Sequence, residues 1–398
     1  MIPVSKAVKI ILRETKGLGT EAVPIARAVG RVLAENVFAD TDLPPFDRSQ
    51  MDGYALKAKD AANAPVNVKI VGESAAGRGW HGKLKSGEAV RIMTGAPVPD
   101  GADSIQKIEL ARESDEVVTI EEPTEAGKYI IRKGAEIKKG ERLFNVGEVV
   151  GRRMIASLAA FGYSKVQVSG KPTVSILGTG TEIVSIDRKP GPDQIRNSNS
   201  AMLKVLCEEA GADARILPQS GDDLEQLKSR ISKAVDTKSD LLVMTGGVSV
   251  GKYDLTKVAL SELGSEIFFE KVRLRPGKPA VFARLGDTLI FGLPGNPVSA
   301  AVTFYLFVGT AIRKMQSASR TDLPQGFAVL RSDVRAAKER DTYFPATLDT
   351  DKTGMLRATP LRWFGSSDFV GFAKADALIQ VPRGGAIASG GVARIAYL

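Results

Sequence analysis

240-DLLVMTGGVSVGKYDLTK-257 decides the fold class. Leu241 to Met244 form a short apolar run between Asp240 and Gly246, the pattern of a buried strand in a parallel sheet. Gly246, Gly247, Ser249 and Gly251 follow, and Val258, Leu260 and Leu263 then give the chain helical character. A strand, a glycine-rich turn and a helix make a cradle for phosphate. The glycines let backbone N–H groups close on an anion, and the helix N-terminus adds partial positive charge. Asp254 lies just past this turn, where a carboxylate makes sense if a cation or a reacting water stands between it and the anion. The spacing is neither a Walker motif nor a dinucleotide GxGxxG. A tight turn with a solvated aspartate is the simpler alternative, since glycine turns follow strands in many folds.

The same grammar extends in both directions from this stretch. Upstream, strand 173–177 leads into Gly178-Thr179-Gly180-Thr181-Glu182, then helix 199–210, strand 213–217 and helix 222–235. Downstream come helix 253–263, strands 266–270, 279–283 and 288–292, and helix 297–315 after 292-GLPGNP-297. Alternating strands and helices imply an open, mostly parallel α/β sheet with ligands at the carboxyl ends of its strands. Three of those ends carry glycine turns, at 178–182, 246–251 and 292–296.

The flanks read differently. Val4, Val8, Ile11 and Leu12 predict an amphipathic helix that stops at Lys16-Gly17, and a second helix is predicted around 26–36. In 42-DLPPFDRSQMDGYAL-56 the Pro44-Pro45 pair forces an extended path and Asp52-Gly53 signals a turn, which holds Asp52 at an edge. From 66 to 131 the alternation is strand-like, a small β domain, and 151–162 predicts a helix ending at a glycine. Beyond about residue 321 the chain is β again, with turns at Gly326, Gly354, Gly384-Gly385 and Gly390-Gly391.

Composition narrows the chemistry. The 398 residues are 43% hydrophobic and 25% charged, the balance of a soluble multidomain protein. One cysteine, Cys207, permits no internal disulfide and fits a reducing, cytoplasmic setting; its amphipathic helical context reads as a buried structural thiol. One histidine, His81 in glycine-rich 77-GRGWHGK-83, argues against a histidine metal centre and against a Ser–His–Asp triad. Carboxylates, Lys/Arg and backbone dipoles must carry any chemistry. The start MIPVSKAVKI has no apolar core of a signal peptide, and 297–312 is too short to span a bilayer. A formal charge of +9 suits anionic ligands or a lysine-rich surface. The basic residues do not interleave with aromatics as in nucleic-acid binders.

Four acidic residues follow strands or precede helices: Asp52, Glu182, Asp222 and Asp254. Asp222 in 220-SGDD-223 has a competing reading as a helix N-cap, and Glu182 one as a first-turn acid. In 271-KVRLRPGKPA-280 alternation puts Lys271, Arg273 and Arg275 on one side of the Pro-Gly turn, with Lys278 beyond it. That set suits multidentate oxyanion binding or, more simply, a solvated edge strand. In 292-GLPGNP-297, Pro297 fits a first helical position and Asn296 is placed to cap. Glycine turns, a basic turn and spaced carboxylates at one sheet margin describe an anion-and-magnesium site, since carboxylates hold Mg²⁺ while the metal bridges phosphate oxygens.

Five motifs in register, FDRSQMDGYA (46–55), RIMTGAPVPDGAD (91–103), GGVSVGKYD (246–254), RPGKPA (275–280) and GLPGNPVSA (292–300), closely resemble the molybdopterin molybdenumtransferase family, which includes the E domain of gephyrin. The likeness also takes in 131-IRKGAEI-137, 195-IRNSN-199 and 365-GSSDFVGFAKADALIQVPRG-384. It implies an elongated homodimer with the site in a cleft between the α/β domain of one subunit and the β domain of the other. The implied division is an N-terminal helix at 1–18 packing near the α/β domain and a linking, dimerisation domain at 19–43 and 136–167. A small β domain at 44–135, an α/β molybdopterin-binding domain at 168–318 and a C-terminal β-barrel-like domain at 319–398 complete it.

The implied reaction is magnesium-dependent hydrolysis of adenylylated molybdopterin with release of AMP and entry of molybdate or tungstate into the dithiolene. Because the metal's sulfur ligands belong to the pterin, one cysteine and one histidine suffice. By motif position the resemblance implies that Asp52, Glu182 and Asp254 are catalytic, with Asp222, Asp254 and Glu182 holding Mg²⁺. It assigns substrate to Gly246, Gly247, Ser249, Gly251, Arg275, Lys278, Pro294, Asn296, Pro297, Thr94 and Arg132. Departures from the family pattern are Arg275, where lysine is common, Glu136, where aspartate is common, and the run 104-SIQKIELAR-112. A pterin-binding scaffold that clusters partners and a magnesium-dependent molybdopterin adenylyltransferase are the other readings; the intact carboxylate set favours turnover over a scaffold. The molybdopterin adenylyltransferase is the implied partner, with no nucleic acid and no membrane.

Overall fold

The computed structural model describes residues 1–247, 255–362 and 365–398. Ser249, Gly251 and Asp254 therefore lie outside the described residues. The chain forms two compact units. The larger comprises Met1–Glu35, Val146–Arg152 and Lys165–Leu398, and the smaller comprises Asn36–Asn145 and Arg153–Ser164.

The larger unit is built on a six-stranded sheet in the order Asp213–Ile216, Thr173–Gly178, Leu241–Thr245, Thr288–Leu293, Pro279–Leu285, Glu266–Lys271. The first four strands run parallel; Pro279–Leu285 is antiparallel to both its neighbours, so Glu266–Lys271 runs in the same direction as the first four. Every residue of Leu241–Thr245 is buried, because helices cover both faces. Period-two alternation divides its side chains. Leu241 and Val243 join a core with Val4, Ile11, Leu203, Cys207 and Val302, while Leu242 and Met244 meet Leu227, Ile231 and Leu260 on the other face. Burying each such side chain stabilises the fold by roughly 1.5–3 kcal/mol. Cys207 is a buried free thiol whose pKa burial pushes up to about 12, as its helical context foretold.

Beyond this sheet, Asp341–Thr350, Leu356–Pro360, Gln325–Leu330, Val392–Tyr397 and Ala377–Val381 close into a five-stranded β-barrel, since the first and last of them also pair. Leu330, Ala346, Ala358, Ile379 and Ile395 fill it. The basic turn is tied to this barrel, because Leu274–Arg275 pairs in parallel with Asp341 and Thr342.

Two sequence expectations need correction. The predicted helix around 26–36 is absent apart from a 3-10 turn at Ile25–Arg27. Tertiary pairing overrides propensity there: Val32 and Leu33 bridge to Val149 and Val168, and the buried Arg31 donates to the Ser169 carbonyl at 2.6 Å. The helix expected at 297–315 is divided by a π turn at Phe304–Val308, between Pro297–Thr303 and Gly309–Met315.

The smaller unit holds a six-stranded sheet in the order Ser104–Lys107, Gly53–Leu56, Glu88–Ile92, Val66–Ser74, Val117–Ile120, Ala111–Ser114. Tyr54, Leu56, Val68, Val118 and Ile120 form its core. Gly53 is required by close approach: a Cβ there would run into the Gln106 carbonyl. The helix read at 151–162 is Met154–Ala160, followed by Gly162 at φ +77°.

Candidate functional site

The three glycine turns meet at the carboxyl margin of the larger unit's sheet. Thr179 N–H donates to the Thr245 carbonyl at 2.9 Å, and Gly246 N–H donates to the Leu293 carbonyl at 3.3 Å, extending the ladder past the strand ends. Gly246 has φ +92°, and a Cβ on it would overlap the Thr179 carbonyl oxygen. Glycine is therefore demanded twice, by conformation and by space. Asn199 fastens the turns together, its Nδ2 donating to Thr245 Oγ1 at 2.9 Å and to the Gly295 carbonyl at 2.7 Å.

Two cavities open here. One of about 640 Å³ is lined by Thr179, Glu182, Gly246, Asn199, Asn296 and Pro297, among others. The second, of about 440 Å³, is lined by Arg275, Lys278, Pro294, Asn296, Arg340 and Ser366. Asn296 belongs to both walls. It does not cap its helix: no side-chain capping bond forms, and its Nδ2 instead donates to Ser366 Oγ at 2.6 Å. Pro297 has no N–H to be capped, and Val298 N–H goes to the Ser366 carbonyl. Lys271 and Arg273, predicted on the Arg275 side, are not among the walls. Arg275, Lys278 and Arg340 have no ion-pair partner among the described residues. Three uncompensated cations around one cavity make a site for a multiply charged oxyanion.

The carboxylates divide by geometry. Helix Leu224–Asp236 is capped by Asp223, which accepts from Gln226 N–H at 2.6 Å. Asp222 is thereby released from capping, and it accepts from Thr181 Oγ1 at 3.1 Å. Glu182 precedes a strand rather than sitting in a helical turn, so its first-turn reading falls too. Replacing Asp223 with alanine should cost about 1 kcal/mol of stability and Asp222→Ala far less. Denaturant midpoints of the two variants check this, and equal losses would return Asp222 to a structural role.

Glu182 and Asp222 flank one turn, Gly180–Thr181, with hard oxygen donors. Among the described residues no three acidic, histidine or cysteine side chains gather as a complete metal cage. Magnesium does not need one, because it keeps waters and takes one or two carboxylates plus substrate phosphate. The donor set fits that ion.

In the smaller unit, the register Gly53↔Ile92 places Asp52 beside the turn that follows Ile92. There Thr94 donates its N–H and its hydroxyl to Asp52 Oδ1, at 2.6 and 2.8 Å. These bonds, the backbone one first, hold the Asp52 carboxyl below its ordinary pKa, so it stays ionised. Asp52's contribution to stability is present above the unfolded carboxyl pKa and is lost as pH falls through the lowered native value. Thr94→Val removes the hydroxyl bond, so the Asp52 pKa should rise part of the way back; an NMR titration that finds it unmoved would leave the backbone bond as the sole cause. Arg132 pairs with Asp47 at 2.6 Å, and Glu136 pairs with Arg48 at 2.8 Å.

Sequence reading missed Arg340, Ser366 and Asn199 as wall residues. Ser366 and Asn199 lie in the motif runs 365–384 and 195–199, so a signal existed. Arg340 carried none: it reads as one charge of the run 338-KERD-341 and is brought in by the Leu274–Arg275 pairing.

Comparison with known proteins agrees with this geometry. The family model for the MoeA N-terminal region (domain I and II) matches residues 2–162, that for a probable molybdopterin binding domain 175–314, and that for the MoeA C-terminal region (domain IV) 328–396. The chain is 36% identical over 394 residues to the molybdopterin molybdenumtransferase of Bacillus subtilis (strain 168), covering 96% of this chain and 90% of that one. This chain belongs to the molybdopterin molybdenumtransferase family. A second member, from Staphylococcus epidermidis, is 32% identical over 388 residues, with 96% and 92% covered. Two crystal structures of a molybdopterin biosynthesis MoeA protein from Pyrococcus horikoshii superpose with TM-scores of 0.84 and 0.85, at 31% and 27% identity, over the whole of this chain and 99% and 100% of theirs. Within the molybdopterin molybdenumtransferase family this chain is thus a transferase, with strand ends, basic turn and barrel all present. Among the described residues no helix is long and apolar enough to cross a membrane.

Proposed function

We propose that this enzyme inserts molybdate or tungstate into adenylylated molybdopterin, with magnesium-dependent hydrolysis of the adenylate and release of AMP. The observation that carries the reading is the set of unpaired cations Arg275, Lys278 and Arg340 around a cavity that shares Asn296 with the cleft holding Glu182 and Gly246. In this scheme the cations, with Ser366, bind the incoming oxyanion and orient it. The glycine cleft takes the pyrophosphate. Asp222 and Glu182, with Asp254 implied by the resemblance, would hold Mg²⁺, which when bound neutralises phosphate charge. Glu182, on the cleft wall, is the described carboxylate offered as proton acceptor for the attacking water. Asp52, kept ionised by Thr94, is the further carboxylate that the resemblance makes catalytic. The dithiolene of the pterin supplies the sulfur ligands, so no cysteine of this chain is needed.

The same reading includes a homodimer, the division at 1–18, 19–43 with 136–167, 44–135, 168–318 and 319–398, a cytoplasmic site of action, and delivery of the pterin by the adenylyltransferase. The test is to incubate the protein with adenylylated pterin, Mg²⁺ and each oxyanion. AMP and loaded cofactor should appear together and only when Mg²⁺ is present. Pyrophosphate release from ATP would identify an adenylyltransferase instead, and binding without turnover a scaffold.

A further inference from the structure

The cavity of Arg275, Lys278 and Arg340 is surrounded by more cations than its walls hold. Leu274–Arg275 pairs in parallel with Asp341 and Thr342, and Asp341 N–H donates to the Arg273 carbonyl at 3.0 Å. Val334–Arg335 pairs with Ala386–Ile387 in a two-stranded ribbon. Ala336 N–H and Gly384 N–H fasten that ribbon on the Gly385 and Ala337 carbonyls, both at 2.9 Å. Arg383 N–H then donates to Asp341 Oδ1 at 3.0 Å, which ties the ribbon to the residue after Arg340. Backbone pairing thus gathers Arg273, Arg335, Lys338 and Arg383 about the three wall cations.

The charge so gathered is a large share of the whole. Segments 273–278 and 335–341, with Arg383, carry seven cations against two acids, Glu339 and Asp341. That is an excess of +5 in a chain whose entire excess is +9, so more than half of the net charge stands around one cavity. None of the seven cations has an ion-pair partner among the described residues. The group therefore lacks the pairing of a structural ion-pair network, and a patch of one sign around a cavity focuses its field there.

The seven do not act at the same range. Arg275, Lys278 and Arg340 line the cavity and reach an occupant directly. Arg335, Lys338 and Arg383 are exposed, Arg273 is half-buried, and none of these four is a wall residue. They act on an anion through solvent, over a screening length of about 30 Å at 0.01 M salt and about 8 Å at 0.15 M. Charges placed outside a contact site change how fast and how salt-sensitively a ligand is captured more than how it is gripped.

Resting on the transferase reading above, we propose that Arg273, Arg335, Lys338 and Arg383 form an electrostatic funnel that draws dianionic tetrahedral oxyanions from solution into the cavity, where the wall cations hold them. Isothermal titration of molybdate into the full chain tests this, with Arg335, Lys338 and Arg383 all changed to glutamine. The variant should bind roughly tenfold more weakly than the wild type at about 0.01 M salt, the lower end of what a focused field supplies. The deficit should shrink to about twofold or less at about 0.3 M salt, where screening removes the long-range field. Lys278→Ala, a wall substitution, should be weakened at both salt concentrations. A variant that keeps the charges, Arg335→Lys with Lys338→Arg and Arg383→Lys, should bind as the wild type does.

Equal binding by the glutamine variant and the wild type at low salt overturns the proposal. So does a deficit that is undiminished at high salt, which would make these residues contacts of the occupant. A charge-keeping variant as weak as the glutamine one overturns it as well, as does a wild-type protein that binds no molybdate at low salt. If the glutamine variant fails to fold, the charge-keeping variant and the slope of wild-type binding against salt still decide, since a funnel requires a slope steeper than three wall cations give. Failure of the transferase reading is a separate result, because it shows as absence of AMP release from adenylylated pterin whatever the salt dependence of molybdate binding.

Discussion

Gly246→Ala should lower turnover by roughly a hundredfold, the scale of an ångström-sized misplacement of a binding loop. It should also cost roughly 1–3 kcal/mol of stability, the range for a residue forced into a sparsely populated backbone region. Two effects combine. At φ +92° an L side chain is strained wherever it sits. Beyond that strain, the added Cβ meets the Thr179 carbonyl, a backbone atom that cannot swing aside as a flexible side chain would. The turn must therefore move, and Gly246 is itself part of the cleft wall. Gly286→Ala is the control, since Gly286 has φ +59° but a Cβ added to it would meet nothing within 4 Å. It should show the conformational cost alone, with turnover unchanged. AMP release and denaturant midpoints of both variants check this; a fully active Gly246→Ala protein would remove the cleft from the mechanism.

How far the sequence spoke depended on how local each signal was. The strand at 241–244 was legible because both faces are covered, which leaves a continuous apolar run, and because glycine ended it on both conformational and steric grounds. The basic turn and Pro297 were legible for the same local reasons. Misreadings came where distant chain decides. Residues 26–36 have helical spacing, yet Arg31 is drawn into a buried contact with Ser169 and its neighbours bridge to residues more than a hundred positions away. Asp222 and Asp223 are equivalent capping candidates in one dimension, and only the helix start at Leu224 shows which one caps. A cavity of about 360 Å³ is lined from helices that start at Ser198, Pro297 and Phe369, so no window of sequence contains it.

Arg340 is the sharpest case of that non-local logic, and Arg340→Ala should lower kcat/KM for oxyanion insertion by roughly 10²–10³, the loss seen when one preorganised donor to an oxyanion is removed. Arg275, Lys278 and Arg340 surround one cavity with no acidic partner among the described residues, so without an anion they repel one another. Cations gathered around one cavity without acidic partners suit anion binding and lack the pairing of a structural ion-pair network. Two consequences can be measured separately. Arg340→Ala should bind molybdate weakly yet melt no lower than the wild type, because the substitution relieves like-charge repulsion. Its binding should also depend less steeply on salt, since one charge fewer is neutralised. Arg340→Lys should fall between the two, keeping the charge but losing the planar fork that can grip two oxygens at once. Lys278→Ala should follow Arg340→Ala in both respects. Oxyanion binding by Arg340→Ala as tight and as salt-sensitive as that of the wild type would show that the three cations do not act as one site. A large drop in its melting temperature would instead place Arg340 among the groups that hold the barrel segment in position.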